Sequence, residues 1–286
     1  RCRDRASRQE LTRAVRLLQV SDVHFGRHAV AAYTDAVQQR VASGRYDAVV
    51  VAGDLTQRNF REQFRAAKAW LDAMRVYAPV ITVPGNHDVA WWWKPVGLGV
   101  ESPLLAGYRK WINAELEPTL QLPGVTVVGL NSCHGVRTYT LTTRARDLSV
   151  VGAIRPEQWE KAKAVFAVAP ASDLKVLVFH HNVLRGDLSR RWGLVNRADG
   201  IGEALQTGAD LVLNGHDHQT RIEPVELMGR RMVVSHSTSF CARTRGGLPA
   251  AFQEIEIAAQ EFRVRACVWS AEARDFAPRS DQVFAR

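Results

Sequence analysis

Five short segments of the chain carry the side chains that bind divalent cations. Asp, His and Asn recur in them, and carboxylate, imidazole and amide oxygen are suitable ligands for manganese, iron(II) and zinc. A carboxylate can also bridge two ions and reduce their repulsion at the roughly 3.5–4 Å separation of two-metal sites. The segments are Ser21-Asp22-Val23-His24, Gly53-Asp54, Gly85-Asn86-His87-Asp88, His180-His181 and Asn214-Gly215-His216-Asp217-His218.

Each of these residues taken alone has an ordinary structural explanation. A single Asp after a strand commonly caps a helix, a Gly-Asn pair commonly forms a turn, and a single His is commonly packed or solvated. The ordered set of five segments favours metal binding instead. Glycines at positions 53, 85 and 215 would permit positive φ and a close approach of the backbone beside the ligands.

The segments follow short apolar runs that are typical of buried strands. In open α/β sheets, functional sites form beyond the carboxyl ends of the strands. Five of the predicted strands therefore deliver their polar side chains to one rim. The predicted strands in this part of the chain are Val15–Val20, Ala48–Ala52, Val80–Val83, Val125–Leu130, Lys175–Phe179 and Leu211–Leu213.

Helices are predicted between some of these strands, and strands alone are predicted near the end of the chain. Apolar residues at steps of three and four indicate an amphipathic helix over residues 60–74, and Pro156 is suited to the first turn of a helix over residues 156–167. This order of elements indicates an α/β fold with two layered sheets. The later strands are Met232–Ser235, Phe252–Ile257 and Phe262–Trp269.

No linker divides the chain, so residues 1–286 are expected to form a single domain. Residues 89–120 resemble an insertion near the rim, with a helix-like stretch around Trp111. Residues 184–200 read as a basic loop, and residues 270–286 could form a tail.

Two aromatic or basic clusters have open roles. Trp91-Trp92-Trp93 could line a substrate pocket or stack on a base, but packing in the core or between subunits is the simpler reading. Arg190-Arg191-Trp192 could form a lid that reaches phosphate, or a solvated basic loop.

The composition is that of a globular protein, with 46% hydrophobic and 23% charged residues. No apolar run approaches the roughly 20 residues that span a bilayer. The net charge of +9 invites a nucleic-acid partner. Because 32 of the 38 basic residues are Arg and the charges are spread along the chain, a nucleic-acid partner is not favoured, and a small phosphoester substrate is expected. A homodimer is left open.

The cysteines and the first residues bear on the cellular compartment. Four widely spaced cysteines form no CxxC pair, so neither a zinc-thiolate site nor a disulfide framework is indicated. Residues 1–5 lack the apolar stretch of a signal peptide. A cytoplasmic location is expected, although a removed targeting segment is left open because the chain starts without Met.

The order DxH, GD, GNHD, single His and GHxH resembles the signature of the calcineurin-like metallophosphoesterases, over about residues 15–240. The resemblance implies a four-layer α/β/β/α sandwich of two mixed sheets with flanking helices. It also implies two divalent metal ions, Mn²⁺, Fe²⁺ or Zn²⁺. One would be bound by Asp22, His24 and His218, the second by Asn86, His180 and His216, with Asp54 bridging them.

Further roles follow from the same resemblance. His87 would lie over the substrate phosphate and stabilise the transition state or protonate the leaving group, and Asp88 would orient His87. The single His stands here in His180-His181-Asn182, without the proline found in many relatives, and His180 is favoured over His181. His28, His134 and His236 match no motif position; the first two are expected in loops near the rim.

Within this superfamily the segments Val20–Gly26, Gly53–Thr56 and Val83–Asp88 look most like those of small bacterial class III phosphodiesterases of the cyclic-nucleotide and glycerophosphodiester type. The expected reaction is hydrolysis of a phosphodiester by hydroxide shared between the two metals. The alternatives are an SbcD-like nuclease, a nucleotide-linked pyrophosphohydrolase and, least favoured because the ligands are intact, a non-catalytic scaffold.

Overall fold

The computed structural model describes residues 14–90, 104–142, 147, 150–196 and 199–286. The helices in this part of the chain are α1 Ala31–Ala42, α2 Arg61–Arg75, α3 Ala106–Trp111, α4 Pro156–Val168 and α5 Asp199–Gln206. The strands are β1 Val15–Val20, β2 Ala48–Ala52, β3 Val80–Val83, β4 Thr119–Leu122, β5 Val125–Gly129, β6 Leu174–Val178, β7 Leu211–Asn214, β8 Arg221–Leu227, β9 Arg230–His236, β10 Ala251–Ile257, β11 Glu261–Ser270 and β12 Asp275–Ala285.

The strands form two mixed sheets of six strands each. The first sheet has the order β12-β11-β10-β1-β2-β3 and the second has the order β4-β5-β6-β7-β9-β8. The strands β1, β2 and β3 are parallel, as are β5, β6, β7 and β9, while hairpin strands extend the sheets in antiparallel pairing. The strands that precede the ligand segments are β1, β2, β3, β6 and β7. All five belong to the parallel part of their sheet.

Three apolar clusters separate four layers. Alternate residues of β2 illustrate this, because Val50 packs between the two sheets while Val49 and Val51 pack under the helices of the first sheet. A third cluster lies between the second sheet and helices α4 and α5. Strands covered on both faces must be apolar on both faces, which is why the sequence shows continuous apolar runs. The predicted four-layer α/β/β/α sandwich is confirmed.

Most predicted elements are present, and the departures from prediction have physical causes. Helix α1 was missed because polar residues interrupt its apolar periodicity. The edge strands β4, β8 and β12 were missed because most of their side chains are exposed or half-buried, so their sequences are not continuously apolar. Residues 270–286 are not a tail: β12 pairs with β11 along most of their length.

Further expectations from the sequence concern two segments, the tryptophan cluster, membrane-spanning helices and the cysteines. The helix-like stretch around Trp111 is α3, and the basic loop of residues 184–200 ends where α5 begins. Trp91-Trp92-Trp93 lies outside the described residues. No helix in the described ranges is long and apolar enough to cross a membrane. The cysteines of these ranges, Cys133, Cys241 and Cys267, are buried thiols.

Phe240 connects the outer core of the first sheet to the rim. Its side chain is buried and stacks on Phe276 with 5.3 Å between ring centroids. Its backbone N–H lies 3.2 Å from the carbonyl oxygen of Ser21 and 3.1 Å from that of Asp22. The ring thus anchors the segment after β9 against the end of β1.

We expect Phe240→Ala to lower the free energy of unfolding by about 3–5 kcal/mol, because it removes a buried ring and leaves a cavity in a rigid core. Urea denaturation of metal-free protein, followed by circular dichroism, measures this change. Val168→Ala is the control, since Val168 is 85% exposed at the end of α4 and such a substitution changes stability by about 0.5 kcal/mol or less. Equal effects of the two substitutions would contradict the anchoring role.

Candidate metal centre

The ends of β1, β2, β3, β6 and β7 meet at one rim, where the two sheets lie close together. Hydrogen bonds tie neighbouring strand ends: the N–H of Asp22 donates to Gly53 O at 3.1 Å and that of His24 to Asp54 O at 3.0 Å. Across the two sheets, Nδ1 of His180 lies 2.9 Å from the carbonyl oxygen of Ala52. These contacts bring ligand-type side chains from both sheets into a single centre.

One cluster of ligand atoms is formed by Asp22, His24 and His218. Nε2 of His218 lies 3.1 Å from Oδ1 of Asp22 and 3.5 Å from Nε2 of His24. Nε2 of His24 lies 3.7 Å from the same oxygen of Asp22. All three side chains are buried or nearly so, and the three atoms surround a common point.

A second cluster is formed by Asn86, His180 and His216. Oδ1 of Asn86 lies 3.1 Å from Nε2 of His180 and 3.0 Å from Nδ1 of His216. The two histidine nitrogens are 3.2 Å apart. His216 thus presents Nδ1, whereas the other histidines of the centre present Nε2.

Asp54 connects the two clusters. Its Oδ2 lies 3.7 Å from Nε2 of His24 in the first cluster and 3.4 Å from Nε2 of His180 in the second. Its other oxygen accepts a hydrogen bond from the backbone N–H of His87 at 2.8 Å. The carboxylate is therefore fixed through one oxygen and presents the other to both clusters, which is the geometry required of a bridging ligand.

The backbone at the ligands is strained. Five of the predicted ligands have positive φ, a conformation that non-glycine residues seldom adopt. Strain of this kind persists only where the surrounding structure imposes it, and it is concentrated at functional sites. The five are Asp22 at 56°, His24 at 49°, Asp54 at 53°, His216 at 72° and His218 at 56°.

The three motif glycines have two different roles. Gly53 has a φ of +84°, the first of the two roles expected from the sequence, whereas Gly85 and Gly215 are not among the positive-φ glycines. They permit close approach instead. A Cβ at Gly85 would lie 2.0 Å from the backbone nitrogen of Asp54, and a Cβ at Gly215 would lie 1.7 Å from Oγ of Ser21.

The charges of the centre depend on its two buried carboxylates. Burial alone would raise the pKa of Asp22, but His218 beside it holds that pKa below its ordinary value. Burial disfavours the charged form of His180, yet the nearby carboxylate of Asp54 raises its pKa to about 9. Burial lowers the pKa of His24 to about 3. Without metal, the centre thus combines ionised carboxylates with a neutral His24 and a protonated His180, and a bound cation would take the place of the proton on His180.

The donor set fits divalent cations. Oδ1 of Asp22, which faces the first cluster, is buried without a hydrogen-bond partner, which is costly for a polar atom unless another partner compensates. Groups that could hold a metal ion include Asp22 with His24 and His218, and Asp22 with Asp54 and His180. Imidazole, carboxylate and amide donors suit the first-row metals named above. The seven side chains that the sequence selects as ligands all lie in this centre.

His87 lies beside the clusters and lines the cleft above them. Its ring makes an edge contact with that of His24 at 4.8 Å between centroids, and its Nδ1 lies 2.7 Å from the carbonyl oxygen of Gln57. His24, Asp54 and His87 also form a group that could hold a metal. The partner of its Nδ1, Gln57, carries no motif signal in the sequence.

The carboxylate of Asp88, the residue expected from the sequence to orient His87, is hydrogen-bonded to backbone N–H groups. Asp88 accepts the backbone N–H groups of Leu55 at 3.1 Å, Thr56 at 2.7 Å and Gly85 at 3.0 Å. Its carboxylate therefore joins the turn after β2 to the turn after β3 and positions the backbone that carries His87. Burial, then the charge of Asp54, raises the pKa of Asp88 to about 6.

Both ring nitrogens of His181 are engaged away from the clusters. Nδ1 lies 2.8 Å from Oγ of Ser132, and Nε2 lies 3.0 Å from the carbonyl oxygen of Val150. A ring held in this way has no lone pair directed at a metal, whereas His180 presents Nε2 to Asn86. The geometry favours His180, as the sequence does, and gives His181 the role of anchoring the loop at Val150.

The three remaining histidines lie elsewhere. His28 is half-buried and lines a separate groove with Arg58 and Gln63. His134 is buried with its ring 5.5 Å from that of Tyr139. His236 is buried at the end of β9, and burial lowers its pKa to about 3. None of the three lines the cleft above the clusters.

The cleft above the clusters has a volume of about 520 Å³. Besides Val150, two loops supply its outer lining, one through Arg191 and the other through residues 243–246. The carbonyl oxygen of Arg243 also lies 3.1 Å from Nδ1 of His218, so this loop supports a ligand as well. Arg243 and Arg245 were not expected from the sequence, because a loop of irregular structure has no periodicity that would mark its position.

The comparisons with known proteins agree with this architecture. The sequence profile described as calcineurin-like phosphoesterase matches residues 15–220. No curated protein matches the chain significantly. A purple acid phosphatase from yellow lupin (Lupinus luteus) has a TM-score of 0.69 at 14% identity, with 96% of this chain covered. The alignment covers 54% of the lupin protein, so the chain spans about half the length of that relative.

A second similar structure is GAP50, the anchor in the inner membrane complex of Plasmodium. It has a TM-score of 0.52 at 15% identity, and the alignment covers 89% of this chain and 84% of that protein. At such identities the likenesses establish the fold alone. The family profile, in contrast, covers well over half of the chain and includes every ligand segment identified above. This chain therefore belongs to the calcineurin-like phosphoesterase family.

Proposed function

We propose that the protein is a dinuclear-metal phosphodiesterase that acts on a small molecule of the cyclic-nucleotide or glycerophosphodiester type. One observation carries the proposal: two clusters of buried ligand atoms share one oxygen of Asp54 at the floor of a cleft. Membership of a phosphoesterase family supports the same reaction class.

In this proposal Asp22, His24 and His218 hold one cation, Asn86, His180 and His216 hold the other, and Asp54 bridges them. When bound, the two cations would supply Lewis acidity and a water molecule of lowered pKa as the nucleophile. The native pair is expected to come from Mn²⁺, Fe²⁺ and Zn²⁺, which suit these donors.

The ligand histidines are prepared by their outer hydrogen bonds. Nδ1–H of His180 donates to Ala52 O, and Nδ1–H of His218 donates to Arg243 O. Each bond fixes the tautomer and leaves a lone pair on Nε2 that points into the centre. The backbone N–H of His216 donates to Oδ2 of Asp22 at 3.0 Å, which orients the opposite oxygen toward the first cluster.

His87 is the proposed acid or electrostatic partner of the leaving group. The carbonyl oxygen of Gln57 accepts Nδ1–H of His87, which leaves Nε2 as the atom that can hold a proton for the leaving oxygen. A side chain in this role acts on charge that develops in the transition state. Asp88 contributes through the turn that places His87.

In this proposal the two loops around the cleft accommodate the two ester groups of a diester. We place one ester group against the loop of Arg191 and the other against the loop of residues 243–246. A guanidinium beside the phosphoryl group can also stabilise charge on its equatorial oxygens.

The alternatives receive less support. The net charge of +9 is the feature that favours an SbcD-like nuclease, and a nucleotide-linked pyrophosphohydrolase would use the same ligands. A scaffold without catalysis is disfavoured because the ligand atoms are intact and convergent. The cytoplasmic location, the single domain and the homodimer stay predictions.

The substrate class is tested with bis-p-nitrophenyl phosphate and p-nitrophenyl phosphate, on metal-stripped protein refilled with manganese. We expect kcat/KM for the diester to exceed that for the monoester, with about two metals bound per chain by elemental analysis. Two bound metals with a preference for the monoester would reject the diesterase assignment, and absence of bound metal would reject the centre.

Asp54→Asn is the corresponding ligand variant. It keeps an acceptor for the N–H of His87 but removes the bridging charge, so turnover should fall by more than the roughly 10–100-fold that outer-shell changes cause, and both metals should bind more weakly. Asp210→Asn is its matched control, because Asp210 accepts the N–H of Lys175 at 2.8 Å near the opposite ends of the strands. If Asp210→Asn loses as much metal as Asp54→Asn, the bridging role of Asp54 is contradicted.

His87→Ala should retain both metals and lower kcat by roughly 100-fold or more, the usual contribution of a general acid or base. The loss should grow as the pKa of the leaving alcohol rises, because a poor leaving group depends more on a proton donor. A series of aryl diesters measures this slope, with His28→Ala as control. Loss of a metal in His87→Ala would instead make His87 a ligand.

The His180 and His181 pair provides an internal comparison. His180→Ala removes a ligand atom and should lower metal content to about one ion per chain, since a missing ligand weakens a site of this kind strongly. His181→Ala should leave metal content unchanged, because its nitrogens bind Ser132 and Val150. Elemental analysis after dialysis measures the metal content of both variants. Loss of metal in His181→Ala but not in His180→Ala would exchange the two roles.

A further inference from the structure

A second cleft adjoins the metal cleft and has a volume of about 500 Å³. Arg191 lines both clefts, while Val150 lines the first and Val151 lines the second. The two spaces are therefore neighbours that share the side chain of Arg191.

The second cleft has a positively charged lining. Its described charged residues are Arg185, Arg190 and Arg191, with Asp147 as the single carboxylate. Arg185 and Arg190 are exposed, and Nε of Arg185 donates to the carbonyl oxygen of Arg190 at 3.0 Å. Guanidinium groups in this number favour a phosphate, which they bind through paired hydrogen bonds.

The loop that carries these arginines is held in place by the metal-binding motif. A Cβ at Gly186 would lie 1.9 Å from Oδ2 of Asp217, so the loop packs directly on the residue between two ligand histidines. The N–H of Gly186 donates to Arg191 O, and that of Arg190 donates to Gly186 O, each at 2.9 Å. Arg190 itself has a φ of 57°, a strained turn that only the surrounding contacts can maintain.

The opposite part of the wall is fixed as firmly. The N–H of Gly152 donates to Gly193 O at 2.8 Å, and that of Val195 donates to Gly152 O at 2.9 Å. His181 holds Val150 in the same segment. A solvated basic loop would not need these connections. They are expected of a preorganised binding surface, where less ordering is required when a ligand binds.

We propose that the second cleft binds a second phosphate group of the substrate, separated from the phosphodiester that is cleaved. The inference rests on the proposed phosphodiesterase function and narrows it: the substrate is a phosphodiester with a further phosphate on the arm that passes Arg191. Arg185 and Arg190 select this substrate, whereas Arg191 serves both clefts.

The test compares thymidine 5′-(p-nitrophenyl phosphate) with the same compound phosphorylated at the 3′ position, using the manganese-loaded protein. The two substrates differ only in the second phosphate. We expect kcat/KM to be about 10-fold or more higher for the phosphorylated compound, the gain expected of charge-assisted hydrogen bonds. Equal values for the two substrates would overturn the proposal.

The double variant Arg185→Gln with Arg190→Gln tests whether a preference for the phosphorylated substrate arises from the second cleft. Glutamine keeps much of the side-chain length, and it leaves the strained backbone position occupied by a non-glycine residue as before. The preference should fall to about 2-fold or less in the double variant and should persist in Arg65→Gln, which removes a charge from an exposed position of α2. A preference that survives in the double variant also overturns the proposal.

A binding measurement separates this inference from the reaction on which it rests. Calorimetry compares thymidine 3′,5′-bisphosphate with thymidine 5′-phosphate on metal-loaded protein and its double variant. Tighter binding of the bisphosphate that is lost in the double variant supports the second cleft even if neither chromogenic diester is cleaved, a result that would reject the phosphodiesterase assignment alone. Equal binding of the two nucleotides overturns the second cleft.

Discussion

Two buried carboxylates, those of Asp22 and Asp54, impose the requirement that the rest of the centre meets. An ionised carboxylate removed from water is unfavourable unless hydrogen bonds or positive charge compensate it. In each residue one oxygen is satisfied by a backbone N–H, from His216 and His87 respectively. The other oxygen faces histidine nitrogens in the clusters. The remaining negative charge is directed at the positions where cations fit, so metal binding and the order of this rim are coupled.

The folded sheets supply the constraint that holds these groups together. Positive φ at five ligands would not persist in an isolated loop. Here the strand ends are connected by backbone hydrogen bonds, and buried glycines allow neighbouring turns to touch. Phe240 adds a connection from the end of β1 to the outer core. The packing of the apolar layers thus maintains the strained backbone of the ligand residues.

The cleft around the centre depends on the same motif. Asp217 lies between the ligands His216 and His218, and it contacts both loops of the cleft. Gly186 packs on its carboxylate, and Nε of Arg245 donates to its carbonyl oxygen at 2.9 Å. A shift of this motif would therefore move metal ligands and substrate-facing arginines together. The positions of the residues that line the cleft are therefore fixed by the same contacts that fix the metal ligands, as preorganised sites require.

The sequence by itself determined the strands of both sheet interiors and the seven side chains that meet at their ends. It could do so because burial on both faces leaves continuous apolar runs, and each ligand directly follows such a run. Only the tertiary structure decided which oxygen of Asp54 faces both clusters, that Asp88 holds backbone rather than the ring of His87, and that Arg243 and Gln57 belong to the centre. The edge strands β4, β8 and β12 were likewise decided by pairing. These features depend on contacts between segments far apart in the chain. A local sequence pattern indicates which residues are buried and which can bind a metal, but it does not indicate which distant loop packs against them.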